Sequence, residues 1–288
     1  MDKSFKDAVY ELTGQDVSRT RTSNSSSRKT SPPVRQAVVA QEEAKEKKAM
    51  EMPARAPTQR RVFAYFHSTR KIPNDVIREL VDQKLLYQAE FEIKGKLQDK
   101  EQIFKKSNAV FIHTDNNGKA VGGEIQGLDM NKRFKGTVAG TGETFFKFVP
   151  IKEVKPVRAF IFESAIDLMS FYSMCNDKSK LRGTMLVSMS GLKNFAVEQL
   201  REQGLNVISA VDNDKAGRKF ENANNLSRSD FVTEKLDLHG FKDWNERLVY
   251  QTEHPNFLVE EQKIVQEHRK KISEEHKQEN NQEMIRSR

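Results

Sequence analysis

Two short apolar segments each end on acids where the chain turns into a helix, and this pair restricts the fold more than any other feature. Ala159-Phe160-Ile161-Phe162 runs into Glu163 and then Ser164-Ala165-Ile166-Asp167-Leu168-Met169. Further along, Val207-Ile208-Ser209-Ala210-Val211 runs into Asp212-Asn213-Asp214-Lys215-Ala216-Gly217. Near-continuous apolar runs of this length read as strands buried on both faces, as in parallel sheets. In open α/β sheets, ligand sites lie in the crevice beyond the carboxyl ends of the strands. Carboxylates gathered there resist ionising together unless a cation lies between them. All-oxygen donors of this hardness suit Mg²⁺ or Mn²⁺. The expected chemistry is metal-dependent work on phosphate groups, with nucleic acid as the substrate.

Around these motifs strands and helices alternate: strand 158–162, helix 164–175, strand 184–188, helix 193–203, strand 206–211, helix 215–226 and strand 231–236. Such alternation predicts an α/β domain over 157–250 built on a parallel sheet. Upstream, 62–150 reads as a small α+β module. It opens on the apolar stretch Val62–Phe66, followed by a helix over 74–83 with Asn74 as N-cap. A strand at 108–114 turns through Asp115-Asn116-Asn117-Gly118-Lys119 into a second strand at 119–128, and two more follow at 134–138 and 144–149. Ahead of the module stand a short amphipathic helix within 1–14 and a disordered basic linker over 15–61, rich in Ser, Arg and Pro. Residues 251–288 form a charged helical tail.

Charge is distributed unevenly. The chain has a formal net charge of +8, yet between Ser18 and Arg61 eleven Lys and Arg stand against four Glu, so the excess lies in the linker. A basic tether of this kind adds salt-sensitive affinity for nucleic acid; a solvated linker explains the same composition. The folded part is close to neutral, so a basic groove there has to come from arrangement. A single cysteine, Cys175, allows no internal disulfide and no cysteine-built zinc site, so no zinc is expected. No apolar run approaches the ~18 residues of a membrane span. These features predict a soluble, cytoplasmic protein with no membrane partner.

Taken singly, each acidic motif has a plain structural explanation. Asp-x-Asp is a common Asx-turn that caps a helix, and a strand-end Glu is often simply solvated. A calcium loop starting at Asp212 fails, because its later ligand positions fall on Ala216 and Ala223. The combination of strand–Glu–helix, one βα unit and strand–Asp-x-Asp–helix is more specific. It resembles the TOPRIM domain shared by bacterial replicative primases, topoisomerases and related nucleases. Phe162-Glu163-Ser164-Ala165-Ile166-Asp167 is similar to the Glu-Gly…Asp segment of primases, with Ser164 in place of Gly, a departure that bears on priming. Lys242-Asp243-Trp244-Asn245-Glu246 resembles the element that closes many such domains. The upstream stretch from Tyr65-Phe66-His67-Ser68-Thr69-Arg70-Lys71-Ile72-Pro73 through Gly118 and Gly127-Leu128-Asp129 is similar to the domain that precedes TOPRIM in primase-like proteins of plasmids and conjugative elements. There a zinc ribbon usually comes first, ending in a helix much like Ser4–Val9; here the ribbon is expected to be lacking.

The resemblance implies Glu163, Asp212 and Asp214 as catalytic residues and, with Asp243, as ligands of Mg²⁺ or Mn²⁺. Lys193, Lys215, Arg218 and Lys242 are candidate phosphate contacts, although Lys193, Lys215 and Arg218, each taken alone, read more readily as exposed helix-face charges. The implied function is a primase-like nucleotidyl transferase on single-stranded DNA, with nucleotides as ligands and a replication, relaxase or helicase protein as partner, in replication or transfer of a mobile element. A TOPRIM nuclease would use the same site to cut phosphodiesters. A non-catalytic nucleic-acid-binding accessory protein would keep the acids as a structural metal site. Trp244 is expected as a core anchor beneath the acidic loop.

Overall fold

A computed structural model describes residues 49–97, 100–129 and 134–286, all within one compact unit, Lys47–Arg288. The helix expected within 1–14 and the linker over 15–48 lie outside the described residues. The linker does not extend to residue 61. Arg55 bridges Ala89, the buried Ala56 donates its amide to the Gln88 carbonyl at 2.8 Å, and Met50 and Met52 cover apolar residues of the first sheet. Backbone pairing and methionine side chains anchor this stretch, a signal its polar composition hides.

Helix α1 (Arg60–Ala64) widens into a π turn over Tyr65–Thr69, and α2 spans Asn74–Asp82. Pro73, in extended backbone, takes the N-cap position of α2, and Asn74 is its first helical residue. A four-stranded antiparallel sheet follows in chain order: β1 (Leu86–Leu97), β2 (Lys100–Thr114), β3 (Ala120–Gly127) and β4 (Lys135–Thr137). At the β2–β3 turn the Asp115 carboxylate accepts the amides of Asn117 (2.8 Å) and Lys119 (2.9 Å), and Gly118 takes a φ of 79°.

The second sheet has the order β5-β7-β6-β8, from β5 (Phe146–Phe148), β6 (Arg158–Phe162), β7 (Thr184–Ser188) and β8 (Asn206–Ser209). β6 runs parallel to both β7 and β8, while β5 adds an antiparallel edge. Helices α3 (Ala165–Met174), α4 (Asn194–Glu202) and α5 (Lys215–Ala223) alternate with these strands. The expected strand at 231–236 is helical instead: α6 (Asp230–Val232) continues into a π turn, Thr233–Asp237. Ser229 starts it by accepting the Val232 amide at 3.4 Å, and Val232 and Leu236, four residues apart, bury together on the core. That spacing is a helical face. Helices α7 (Trp244–Glu253) and α8 (Phe257–Arg286) close the described chain.

Strand β6 organises the packing through its period of two. Phe160 and Phe162 face one apolar cluster with Leu168, Phe171 and Trp244; Ala159 and Ile161 face another with Val197, Leu200 and Phe220. The first cluster also takes in Phe66, Ile77 and Phe111 of the upstream module, so both modules share one core. Trp244 is fully buried, sits edge-on to Phe171 at 4.9 Å, and donates its indole N–H to the Ala210 carbonyl at 2.8 Å. Trp244→Ala is expected to cost about 3–5 kcal/mol of unfolding free energy. Trp244→Phe, which orphans the Ala210 carbonyl and leaves a smaller void, is expected to cost less, about 1–3 kcal/mol. Urea denaturation of both variants measures the difference, and near-equal losses would show that the hydrogen bond, not ring volume, dominates.

Candidate functional site

The parallel pairing of β6 with β8 sets the carboxyl ends of the two strands side by side: Ile161 lies opposite Ser209, and the Ala210 amide donates to the Ile161 carbonyl at 3.0 Å. Glu163 and Asp212 therefore leave neighbouring strands at the same edge of the sheet. Asp167 follows Glu163 within the first turn of α3. Ser164 is the N-cap there: in extended backbone (φ −140°), it accepts the Asp167 amide at 3.2 Å and donates its hydroxyl to the Asp167 carboxylate. Its conformation needs no glycine, and its hydroxyl makes bonds that glycine could not make.

Asp214 and Asp243 both cap helices. Asp214 Oδ1 accepts the amides of Ala216 and Gly217, each at 2.9 Å, opening α5. Asp243 Oδ1 accepts the Glu246 amide at 2.7 Å, opening α7. The capping explanation of Asp-x-Asp is thus correct for Asp214. Asp212 is different: it is buried, and its Oδ1 has no hydrogen-bond partner. Gly217 explains how α5 comes so close, since a Cβ at that position would run into the Asp212 carbonyl oxygen.

Burial and mutual repulsion hold protons on this cluster. Burial, followed by the charges of Asp167, Glu163 and Asp243, pushes Asp212 up to about 8, with Lys242 opposing. Burial, followed by the Asp243 charge, pushes Asp167 up to about 7 against hydrogen bonds from Ser164 and the Asn245 amide. Among the described residues, no set of three His, Cys, Asp or Glu side chains stands ready to enclose a metal. The donors nevertheless fit a hard divalent cation. They are oxygens only, they repel one another, and one buried oxygen lacks any partner.

Several residues at this edge carried no assignment in the sequence. A cavity of about 330 Å³ opens beside Asp167 and Asp243, with Arg70, Lys135 and Phe134 from the upstream module in its lining. Lys135 donates to the Glu163 carbonyl at 3.3 Å. Arg70 donates to the Asn245 side chain at 3.1 Å, while Asn245 donates back to the Arg70 carbonyl at 2.9 Å. Glu124, buried on β3, accepts the hydroxyls of Ser188 (2.7 Å) and Ser190 (3.0 Å) and the Ala165 amide (3.3 Å). Behind Asp212, the buried Arg228 donates to the carbonyls of Val211 (2.9 Å) and Asp212 (3.1 Å) and pairs with Glu221 and Asp237. Asp167, Asn245 and Arg70 stand inside the quoted stretches; the others had no local signal.

The cations expected to meet phosphate divide. Lys242 is exposed and lies 3.9 Å from Asp214 Oδ2. Lys215 is exposed at the start of α5. Lys193 lies over the Phe195 ring at 5.8 Å, and burial together with the Lys193 charge drives the buried His113 down to about 3. Arg218 is engaged elsewhere, donating to Asn213 at 2.6 Å and pairing with Asp237 at 3.0 Å and Glu221 at 3.3 Å.

Family models match both parts of the chain. Residues 160–248 match the family described as Toprim-like, and residues 64–153 match a family described as a protein of unknown function, DUF3991. The second domain is thus a TOPRIM domain, preceded by an α+β module. A 65 kDa protein of Zymomonas mobilis subsp. mobilis is 26% identical over 159 residues, which is 50% of this chain and 27% of that protein; the match spans about a quarter of the relative's length. Among solved structures, the primase fragment of the bacteriophage T7 primase-helicase protein is similar with a TM-score of 0.43 and 16% identity, over 69% of this chain and 72% of that one. The E. coli primase catalytic core gives 0.37 and 14%, over 58% and 60%. The DnaG primase catalytic domain bound to ssDNA gives 0.35 and 15%, over 58% and 61%.

The raised acids fix a sign for pH dependence. Asp212 and Asp167 are protonated in the folded chain over a range where the unfolded chain has lost those protons, so the fold binds more protons and stability falls as pH rises. In chelator, the melting temperature of the wild type is expected to fall between about pH 4 and pH 8 and to flatten above. Asp212→Asn, a neutral isostere, is expected to melt a few degrees higher than wild type at pH 8.5, roughly 2–4 °C per kcal/mol. Millimolar Mg²⁺ is expected to raise the wild type and leave Asp212→Asn unmoved. Calorimetry with and without Mg²⁺ checks all three, and a Mg²⁺ response retained by Asp212→Asn would remove Asp212 from the site.

Proposed function

We propose that this protein is a metal-dependent, primase-like nucleotidyl transferase that acts on single-stranded DNA. The observation that carries the reading is the unpartnered Asp212 oxygen inside an acid cluster at paired strand ends, two of whose members, Asp167 and Asp243, line a cavity together with Arg70 and Lys135 of the upstream module. Glu163, Asp212 and Asp214, with Asp243 and Asp167, would hold Mg²⁺ or Mn²⁺. When bound, such an ion neutralises phosphate charge and aligns an oxygen nucleophile for in-line displacement. Lys135, Arg70 and Lys242 would supply positive charge around the acids where a triphosphate would lie, and Glu163 would serve proton transfer at the reacting hydroxyl.

A second cavity supports a polynucleotide rather than a free small molecule. About 630 Å³ in size, it runs along the upstream sheet with Arg61, Lys105 and Lys106 against Asp129 and exposes Phe134 beside Phe91. Phe134 lines this groove and the acid-side cavity as well. A basic track with aromatic faces suits a single strand. The groove is the arrangement a nearly neutral body needs in order to hold a polyanion. The mobile-element setting, a helicase or relaxase partner and a cytoplasmic location are part of the proposal through the likeness of the upstream module to such primases. Among the described residues no helix is long and apolar enough to cross a membrane.

The test uses circular single-stranded DNA with labelled NTPs and dNTPs in Mg²⁺ or Mn²⁺. Wild type is expected to make short labelled products, and Asp212→Asn to lose at least about a hundredfold in rate. Linearised circles without new product would make the protein a nuclease. Binding without either product would make it an accessory protein.

A further inference from the structure

At the opposite end of β6 from the acids lies a cavity of about 410 Å³, between the start of the strand, the C-terminal end of α3, the α6 turn and α7. Its walls are the rings of Phe160, Phe171 and Phe231, with Met174 and Cys175 beside them. The charge is one-sided. Arg158, Lys180, Lys235 and Arg247 line it against a single acid, Asp177. Glu261 sits behind, pairing with Lys235 and with Arg247 Nη2 at 2.7 Å, and even with it the cations outnumber the acids. Arg247 is 1% exposed, and its Nε and Nη1 have no hydrogen-bond partner. Buried donors of a charged group left without an acceptor are costly; this guanidinium lies over the Phe257 ring at 5.2 Å, and Arg247 belongs to the wall of a space within the usual size range of small-molecule pockets, ~300–1,000 Å³.

We propose that this cavity binds a small planar organic anion, an aromatic ring bearing a carboxylate, phosphate or sulfonate. The ring would lie among Phe160, Phe171 and Phe231, and the anion would meet the positive charge of Lys180 and Arg158 at the rim, with Arg247 behind. The site is distinct from the acid cluster, and its ligand needs no metal.

The test titrates the full chain in EDTA with 8-anilinonaphthalene-1-sulfonate, a planar anion that fluoresces in apolar surroundings. Alkylation of Cys175, the only cysteine in the chain, is followed in parallel. Saturation at one site is expected, with Cys175 alkylation slowed in proportion to occupancy. Lys180→Glu, at an exposed position, is expected to weaken binding about tenfold, the loss of one charge-assisted contact. Met174→Trp, which fills the space, is expected to abolish it, and Asp212→Asn to leave it unchanged. Displacement by adenosine monophosphate or by indole-3-acetate upholds the proposal and tells phosphate from carboxylate. Non-saturable binding, no protection of Cys175, no displacement by either competitor, or affinity unmoved by Lys180→Glu overturns it. Should Met174→Trp fail to fold, Lys180→Glu decides. Loss of binding in Asp212→Asn would place the probe at the acids and overturn the proposal too.

Discussion

Crowding of carboxylates at one edge of a parallel sheet is the constraint to which the rest of the molecule answers. Asp212 and Asp167 are buried and face the charges of Glu163 and Asp243, so the cluster is unfavourable as it stands without protons or a cation. It persists because the backbone carrying it is held from several sides. Arg228 grips the carbonyls of Val211 and Asp212, Trp244 grips that of Ala210, and the Lys242 carbonyl accepts the Asn213 amide at 2.6 Å. Glu221 extends this support by accepting the Ser209 hydroxyl at 2.6 Å while paired to Arg228. Such over-determination is what strained functional geometry requires.

The two modules are structurally inseparable at this edge. Glu124 of the first sheet gathers the turn after β7 and the start of α3, and Gly191 in the same turn donates its amide to the Glu163 carbonyl at 2.8 Å. Ser190 accepts a left-handed φ of 55° to reach Glu124, a cost offset by bonding a buried charge. With Arg70 and Asn245 bonded reciprocally and one apolar cluster running through both modules, the acids do not define the site by themselves. Its cationic side comes from the upstream module, and the composite is the working unit.

What the sequence made legible follows local physics. Strands β6 and β7 stood at their observed limits because buried parallel strands are short apolar runs with clear ends. Glu163 and Asp212 were legible because a strand end delivers them directly. Asp167 stood in view with no role, since only tertiary burial distinguishes it from any first-turn acid. Glu124 and Lys135 were invisible, and Arg70 stood in a quoted stretch with no role, because nothing in 62–150 signals which of its many charges faces another module. β1 was missed although Glu90-Phe91-Glu92-Ile93-Lys94 alternates charged and apolar residues with the period of a strand, and although it pairs with the next strand, β2, as a hairpin. The misread strand at 231–236 is the same ambiguity in reverse: a short apolar stretch gives no arbitration between periods until the Ser229 cap and the partners of Leu236 are known.

The aromatic seam gives the molecule a length over which both its ends are set. Helix α3 begins at Ser164 and Asp167 and ends at Met174, beside the distal cavity; α7 begins after Asp243 and carries Arg247 and Gln251 into the same cavity. Between them Phe171 packs against Phe162, Phe231 and Trp244 at 5.1, 5.5 and 4.9 Å. Close-packed interiors transmit displacement because they have no slack to absorb it. The rings that wall the distal cavity are therefore also the rings against which Trp244 fixes Ala210, two residues before Asp212. A fold that must hold repelling acids in place needs a rigid seam behind them.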